Sequence, residues 1–425
     1  MRIGVIGAGI CGAAVAERLR RALGGRCRLF VLDCDSRVGG RVRSFRFAGQ
    51  IVEAGASLFH SSNVLVRDYV EHMGLQATPA SPPGHTAGIW DGEDFLYRTR
   101  GRSWRDTVAM TLRYRGGLYR LSKEAKDVVD RMGDIYPMLV GGVAWPSPWH
   151  LLQSVGLADL ARVRAVGYLA GHRCRCGTRL LHEFVNPVSR NCYGQVAAGM
   201  NALAEAVSLV GGGLAGGQLL RVREGNDVLC RGLLTRANAE VRLSTTVRRA
   251  VQREEGWELY LADSHVLPVD AVVLAAPPEL TGIQWEPDPF TRQSRTYKRI
   301  HVTFLHGDLK PDYFGVRETP GIVLTTDGHR PFLSLERIGP SGIYKIFSEA
   351  SLPDELVRSM FGKVHDSREV IHDAYPFLFP REKHRLFSPL PGLYDATAME
   401  DCVSTMETQM IAGQATANLL IAHVS

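Results

Sequence analysis

A glycine-rich turn at the start of the chain constrains the fold more than any other feature. The apolar stretch RIGVI is followed at once by Gly7, Gly9 and Gly12, and ICGAAVAERLRRAL then has the pattern of a helix. A strand, a tight turn and a helix in this order form the phosphate-binding unit of a Rossmann-like fold, in which the helix N-terminus attracts the anion. We therefore predict a dinucleotide site that Ala8, Ile10 and Cys11 also contact.

An acidic residue stands at the end of the next predicted strand, CRLFVLD. Asp33 lies close to the spacing, roughly 20 residues after the glycines, at which a carboxylate accepts hydrogen bonds from the adenosine ribose. A carboxylate here would repel the extra phosphate of NADP, so NAD or FAD is favoured. We predict that Asp33 and its neighbour Cys34 contact the cofactor; the alternative for Asp33 is a surface carboxylate at a strand end.

The composition excludes several classes of protein. The 425 residues carry a formal charge of +6, and no basic block is long enough to follow a nucleic acid backbone. No run of about 18 uncharged apolar residues is present, so we predict no transmembrane segment. No secretory signal precedes the first strand, and the eight cysteines are scattered in the manner of reduced thiols. We expect a cytoplasmic protein that binds small molecules.

Two further segments resemble the FAD-dependent oxidoreductases of the amine oxidase type. DSRVGGRVRSF resembles their R-x-G-G-R motif, and QIVEAGASLFHSSN resembles the acid-x-Gly turn that they place near the isoalloxazine ring. The resemblance implies that the cofactor is FAD, with an arginine near its pyrophosphate. The residues on the two patterns are Arg37, Gly39, Gly40, Arg41, Glu53, Gly55, Ala56 and Ser57.

The residue patterns of four segments resemble one family of these flavoenzymes in particular, the prenylcysteine oxidase (prenylcysteine lyase) family. The turn reads E-A-G-x-S-x-x-H with His60 in the final position, and NPVSRNCYGQ matches the family except at Asn186. EGNDVLCRGLL matches a third family segment but is one glycine short. The last segment, AMEDCVSTMETQMIAGQATANLL, resembles the C-terminal helix of the family. Its matching residues are Glu400, Ser404, Met406 and Glu407.

The family resemblance implies an α/β fold of the amine-oxidase-like two-domain flavoprotein type. An FAD-binding Rossmann-like domain would comprise residues 1–77, 215–285 and 386–425, and a discontinuous α+β substrate-binding domain would comprise 78–214 and 286–385. We expect Glu400 to hold the ribityl chain, with Asp395 as the alternative. The remaining predicted cofactor contacts are Val247, Ala275, Met406 and Glu407.

The resemblance also implies a reaction. The flavin would take a hydride from the carbon next to a thioether sulfur, water would add, and an aldehyde and a free thiol would be released, with O2 reduced to H2O2. Arg190 is expected to pair with the carboxylate of an S-prenyl or other S-alkyl cysteine, with Tyr193 on the flavin side and His60 as a candidate base. Each of the three has a structural alternative. The competing functions are an amine oxidase or desaturase of the same superfamily, and a non-catalytic flavoprotein that binds a partner or a lipid.

Two other features invite a functional interpretation. HRCRCGTRLLH brings His172, Cys174, Cys176 and His182 close together, but C-x-C is shorter than the usual zinc spacing, so we predict no metal and leave a redox pair open. The basic segment 98–126 is predicted as two helices separated at Gly116. It is either a peripheral membrane contact or a solvated helix pair whose apolar residues are all used in packing.

Overall fold

The computed structural model describes residues 1–81, 85–99, 101, 103–171, 174–291 and 294–424. The strands are β1 (Arg2–Ile6), β2 (Arg28–Leu32), β3 (Ser44–Phe47), β4 (Gln50–Glu53), β5 (Phe59–His60), β6 (Ala77–Pro79), β7 (Ala87–Trp90), β8 (Phe95–Arg98), β9 (Leu219–Val222), β10 (Glu240–Arg242), β11 (Val247–Arg253), β12 (Gly256–Leu261), β13 (Val266–Val269), β14 (Ala271–Leu274), β15 (Gln284–Glu286), β16 (Tyr297–Leu309), β17 (Ile322–Thr325), β18 (Ser334–Ile338), β19 (Ile343–Ser348), β20 (Phe361–Pro376) and β21 (Leu393–Asp395). The helices are α1 (Ile10–Leu23), α2 (Val64–His72), α3 (Ser103–Arg113), α4 (Gly117–Gly133), α5 (Ile135–Val140), α6 (Pro148–Ser154), α7 (Ala165–Ala170), α8 (Thr178–Leu180), α9 (Asn186–Tyr193), α10 (Ala202–Gly211), α11 (Asp227–Arg236), α12 (Pro278–Thr281), α13 (Asp354–Met360) and α14 (Met406–Val424).

A five-stranded parallel sheet with the order β10-β2-β1-β14-β21 forms the centre of the first unit. Its strands are mostly apolar because both faces are buried: α1 and α14 cover one face, and the antiparallel sheet β13-β12-β11-β15 packs on the other. In β1, Ile3 and Val5 are fully buried, and Gly413 of α14 lies so close to α1 that a Cβ would come 2.7 Å from the Cys11 carbonyl oxygen. This is the predicted Rossmann-like sheet, with its strands drawn from both ends and the middle of the chain.

A seven-stranded sheet with the order β20-β16-β19-β18-β17-β7-β8 forms the second unit. Its two longest strands, β20 at one edge and β16 beside it, are antiparallel, whereas β17 and β7 pair in parallel. The parallel strands of the first unit fall in the three segments assigned to the cofactor domain, and these seven fall in the segments assigned to the substrate domain. The exact boundaries stay a prediction.

One stretch of the segment assigned to the substrate domain packs against the parallel-sheet unit. Residues of the 128–161 stretch, which lies inside the segment 78–214, are buried in the same apolar core as α1 and α14. Ile135, Leu139, Leu151 and Leu152 are fully buried there. The helices α5 and α6 therefore pack on the parallel-sheet unit, and Asn418 of α14 donates to the Leu139 carbonyl of α5 at 3.0 Å. No helix among the described residues is long and apolar enough to cross a membrane.

Candidate active site

The glycine turn after β1 leaves no space for side chains. Gly7 has a φ of +112°, and a Cβ on Gly12 would come 2.0 Å from the Gly7 carbonyl oxygen. Gly9 is the N-cap of α1; no side chain caps the helix there, and no acidic residue stands in its first turn. The amides at this N-terminus are therefore directed at space that an external anion fits.

Three other segments meet this turn through their backbones. The Gly39 amide donates to the Ala8 carbonyl at 3.0 Å, and the Ala56 amide donates to the Arg41 carbonyl at 3.1 Å. A Cβ on Gly55 would come 1.8 Å from that same carbonyl oxygen, and one on Gly7 would come 2.9 Å from the Ala275 oxygen. The sequence-predicted residues of all four segments thus form one continuous backbone surface, which fits the phosphates of a dinucleotide.

Asp33 lies at the edge of this surface. Its Oδ2 accepts the Ala8 amide at 2.7 Å and its Oδ1 accepts the Asp35 amide at 2.9 Å, so the carboxylate is held directly behind the glycine turn. The Thr245 amide donates to the Asp33 carbonyl at 2.8 Å and brings Val247, at the start of β11, beside it. Of the other predicted contacts, Ile10, Cys11 and Met406 are buried, and Cys34 is exposed.

Glu400 forms the charged end of the same region. Its fully buried carboxylate pairs with the guanidinium of Arg41, and the Tyr297 hydroxyl donates to it at 2.8 Å. Burial acts to raise the pKa of Glu400, but the charges of Arg41 and Arg295 and these hydrogen bonds outweigh it, so the pKa lies below its usual value. Glu400 is therefore an ionised group that also fixes the R-x-G-G-R turn.

Asp395, the alternative to Glu400, is fully buried at the end of β21. Its Oδ1 accepts the amide and the hydroxyl of Thr397, at 2.9 and 2.7 Å. Its Oδ2 lies 3.7 Å from the Arg385 guanidinium. Burial raises the pKa of Asp395. These contacts stabilise the turn that leads to Glu400, so the two carboxylates have different neighbours.

A narrow cavity lies between the Gly55 turn and the seven-stranded sheet, with Arg190, Phe347, His372 and Tyr375 among its lining residues. Arg190 is buried, and its Nη2 donates to the Thr325 hydroxyl at 3.3 Å. Its buried Nε has no acceptor, and it forms no ion pair with any residue that the structure describes. Burial lowers its pKa, yet an arginine stays charged. Among the described residues, the cavity is therefore lined by a buried cation that forms no ion pair.

His372 projects from β20 into the same cavity, and no sequence motif marked it. Burial, together with the positive charges of Arg41, Lys345 and Arg43, lowers its pKa to about 4. The ring is consequently neutral near pH 7. Its only signal in the sequence is a polar residue in the segment EVIHDAYP, which a single sequence does not distinguish from a surface position.

Tyr193 and its neighbours hold α9 against the sheet. The Tyr193 ring lies edge-on to Tyr375, with 5.2 Å between ring centroids, and burial raises its pKa. Gly194, at a φ of +63°, is so close to β16 that a Cβ would come 2.8 Å from Ile300, and the Gln195 amide group bonds the backbone of Pro376 and Leu378. Tyr193 therefore reaches the cavity through Tyr375.

Two predicted site residues have their side chains engaged elsewhere. His60 Nδ1 lies 2.7 Å from the Ser62 hydroxyl and Nε2 lies 2.6 Å from the Gly216 carbonyl, so neither ring nitrogen is left for a substrate proton. The Glu407 carboxylate accepts the Leu65 and Val66 amides at 2.8 and 2.9 Å, together with the Tyr136 hydroxyl. The side chain of Glu407 therefore caps α2, because those amides begin a helix, and its contact with the cofactor stays a prediction.

Lys345 is a second residue that sequence reasoning missed. It is buried on β19, its Nζ donates to the Ser57 hydroxyl, and that hydroxyl donates to the Gly55 carbonyl at 2.8 Å. Burial lowers its pKa. A lone lysine in the strand IYKIFS carries no motif, but a lysine inside such an apolar run is the one signal that could have identified it.

The C-x-C segment has no metal-binding arrangement in the described part of the chain, where no cluster of three or more histidine, cysteine, aspartate or glutamate side chains occurs. His172 lies outside the described residues. Cys174 is buried, and burial raises the pKa of Cys176 to about 11, so this thiol stays protonated near pH 7. His182 pairs with Asp327 at 2.8 Å instead.

Comparison with known proteins decides the family. Residues 97–425 match the family described as prenylcysteine lyase, and residues 5–73 match the NAD(P)-binding Rossmann-like domain. The chain belongs to the prenylcysteine lyase family. The farnesylcysteine lyase of Arabidopsis thaliana is 29% identical to it, over 99% of this chain and 88% of the relative. Human prenylcysteine oxidase 1 is 26% identical, over 99% and 89%.

Solved structures show the same architecture at low identity. Cyclohexylamine oxidase from Brevibacterium oxydans superposes with a TM-score of 0.67 at 17% identity, covering 100% of this chain and 99% of its own. Putrescine oxidase superposes with a TM-score of 0.64 at 16% sequence identity, and 99% of both chains is covered. The predicted two-domain fold, the family and an oxidoreductase activity are thereby confirmed, and a dinucleotide-type cofactor fits the Rossmann-like unit.

Proposed function

We propose that this protein is an FAD-dependent thioether oxidase that acts on an S-prenyl or other S-alkyl cysteine-like substrate. Membership of the prenylcysteine lyase family carries the reaction class. The observation that carries the substrate class is the buried, unpaired Arg190 in the cavity beside the Gly55 turn. A carboxylate is the group that such a cation binds best.

FAD is the cofactor that these residues would hold. The amides of the Gly7–Gly12 turn would bind the pyrophosphate, Asp33 the ribose, and the turns at Gly39–Arg41 and Gly55–Ser57 the remainder of the molecule, with segments 1–77, 215–285 and 386–425 as the cofactor domain. When bound, FAD supplies a two-electron acceptor for hydride. Glu400 holds Arg41 in place, and Lys345 holds Ser57.

The substrate side of the reaction requires little acid–base work from the protein. The C–H bond next to sulfur breaks with loss of hydride, and the sulfur lone pair stabilises the resulting cation. Water adds to that carbon and loses a proton, for which the neutral imidazole of His372 is the acceptor in the cavity. The hemithioacetal then releases an aldehyde and a thiol. Two electrons pass to O2, which becomes H2O2.

The competing amine oxidase function is disfavoured by charge. A protonated amine would enter a cavity that already contains the Arg190 cation. The two acids that act on Arg190 are engaged elsewhere, since Asp327 pairs with His182 and Glu349 with Lys298.

A cytoplasmic location also stays a proposal; its support is the absence of disulfide bonds among the described residues.

Anaerobic titration tests the proposal. The purified yellow protein is mixed with S-farnesyl cysteine, S-alkyl cysteines, primary amines or polyenes, and the flavin absorbance is followed. We expect bleaching by a thioether only, with one aldehyde and one thiol released per turnover. Bleaching by an amine and by no thioether would overturn the reaction class, and bleaching by none would favour a non-catalytic flavoprotein.

A further inference from the structure

Helix α3 presents an apolar face to the solvent. Trp104, Val108 and Leu112 are 67%, 51% and 74% exposed, and they lie four residues apart, so that they follow one side of the helix. Tyr119, near the start of α4, is 75% exposed. The expectation that packing uses the apolar residues of segment 98–126 is wrong for these four, which belong to none of the five apolar clusters among the described residues.

Contacts on the opposite side fix this orientation. Arg113 Nε donates to the Glu183 carboxylate at 2.7 Å, and the Tyr114 hydroxyl donates to the same carboxylate at 3.2 Å. The Tyr114 ring is buried in the apolar cluster of the helical region, and Met110 packs against that cluster. Because both sides of α3 have apolar residues, burying the outer face would require breaking the contacts of the inner face.

The segment that contains the exposed face is rich in positive charge. Segment 98–126 carries nine lysine or arginine residues and two acidic ones. The Arg105 guanidinium lies over the Trp104 ring, 5.1 Å from its centroid, and Arg98, Arg115 and Lys123 are exposed. Aromatic and apolar side chains with flanking basic residues are the composition that anionic bilayer surfaces bind.

We propose that the outer face of α3, with Tyr119, docks on an anionic lipid bilayer. Trp104, Val108, Leu112 and Tyr119 insert at the headgroup level, and the surrounding arginines contact the lipid phosphates. A second copy of this chain is a poorer occupant, because it would bring the same excess of positive charge against itself. The proposal does not rest on the thioether reaction, since it concerns binding alone.

The chain contains its own reporter for this test. All six tryptophans lie in the described part of the chain, and Trp104 is the exposed one, whereas Trp90, Trp145, Trp257 and Trp285 are buried and Trp149 is half-buried. The holoenzyme is mixed with phosphatidylcholine vesicles, with and without phosphatidylglycerol. Flotation measures binding, and brominated acyl chains report insertion by quenching Trp104 fluorescence.

We expect binding and quenching with the anionic vesicles only, weakened by salt. Val108→Ser with Leu112→Ser should weaken binding by about tenfold or more, since two apolar side chains no longer leave water. Val140→Ser, at a valine of α5 that is 69% exposed, is the control and should bind as the parent does. The flavin spectrum and circular dichroism establish that each variant is folded.

Three results would overturn the proposal. The parent protein could fail to bind anionic vesicles, or the double variant could bind them as well as the parent does. The third is a change from dimer to monomer in the double variant at size exclusion, which would identify the face as an interface between copies. None of these readings depends on flavin reduction by a thioether.

Discussion

Replacing Arg190 with methionine should distinguish a role of this residue in substrate binding from a role in the stability of the fold. Methionine retains much of the length of the side chain but removes a buried charge whose hydrogen-bond partner, among the residues that the structure describes, is the Thr325 hydroxyl at 3.3 Å. A buried cation without an anionic partner costs free energy in the folded state. The variant should therefore unfold at the same temperature as the parent or at a higher one, whereas a structural arginine would lower that temperature.

The same change should weaken substrate binding by an amount that can be calculated. A hydrogen bond to a charged group contributes about 1.5–3 kcal/mol, which corresponds to about 10- to 150-fold in KM for a substrate whose carboxylate contacts Arg190. The methyl ester of the same thioether lacks the anion. For the ester, parent and variant should differ by less than about threefold, because no charge pair is lost.

The assay measures steady-state H2O2 release with the acid and the ester, beside thermal unfolding followed by circular dichroism. Arg190→Lys should restore part of the binding of the acid, since the charge returns without the planar fork. Arg164→Met, at an exposed arginine before α7, is the control. An equal loss for acid and ester, or a fall in unfolding temperature with an unchanged KM, would refute the role of Arg190.

Three further predictions concern the cofactor site and the cavity. Gly12→Ala should give colourless protein without FAD, because its Cβ would lie 2.0 Å from the Gly7 oxygen. The control Gly25→Ala has no atom within 4 Å of its Cβ and should stay yellow. A Gly12→Ala protein that still contains FAD would contradict the assignment of this turn to the cofactor site. Because the pKa of His372 is about 4 when folded and 6.5 ordinarily, the folded state binds this proton less readily than the unfolded chain, so stability is lost as the pH falls from 6.5 towards 4. At pH 5 the loss is about 2 kcal/mol, and urea titrations of His372→Gln at pH 5 and pH 8 should lack that difference. Glu407→Ala leaves three donors without an acceptor: the Leu65 and Val66 amides of α2 and the Tyr136 hydroxyl. The change should lower the free energy of unfolding by about 3 kcal/mol and leave the FAD dissociation constant unchanged. Weaker FAD binding in the folded variant would show that Glu407 contacts the cofactor.

Residues that act through their backbones were the most predictable part of this site. Gly7, Gly12 and Gly55 are glycine because neighbouring carbonyl oxygens occupy the space of a side chain, and such a requirement leaves a fixed spacing in the sequence. Asp33 was found for the same reason, since it directly follows a strand whose position the glycines define. The parallel sheet could be predicted from these local patterns and from the resemblance of segments far apart in the chain to one flavoprotein family.

Residues that act through side chains from the sheet of the second unit were not predictable. His372 and Lys345 stand alone in strands of ordinary pattern, and the pKa of each is lowered chiefly by burial, which depends on how distant parts of the chain pack around it. Glu407 shows the opposite case: it lies on a family motif, yet its carboxylate caps a helix more than 300 residues away in sequence. A motif records that a residue is required but does not distinguish a ligand contact from a helix cap.

The order of strands in the parallel sheet has a consequence for how the protein is made. The glycine turn is synthesised long before β21 and α14, which complete its sheet and cover α1. Contacts between the two ends of a chain form slowly, because a long loop must close before they stabilise anything. The predicted cofactor site is therefore complete only after β21 and α14 have been synthesised, and we expect a polypeptide that ends before residue 393 to lack a complete site.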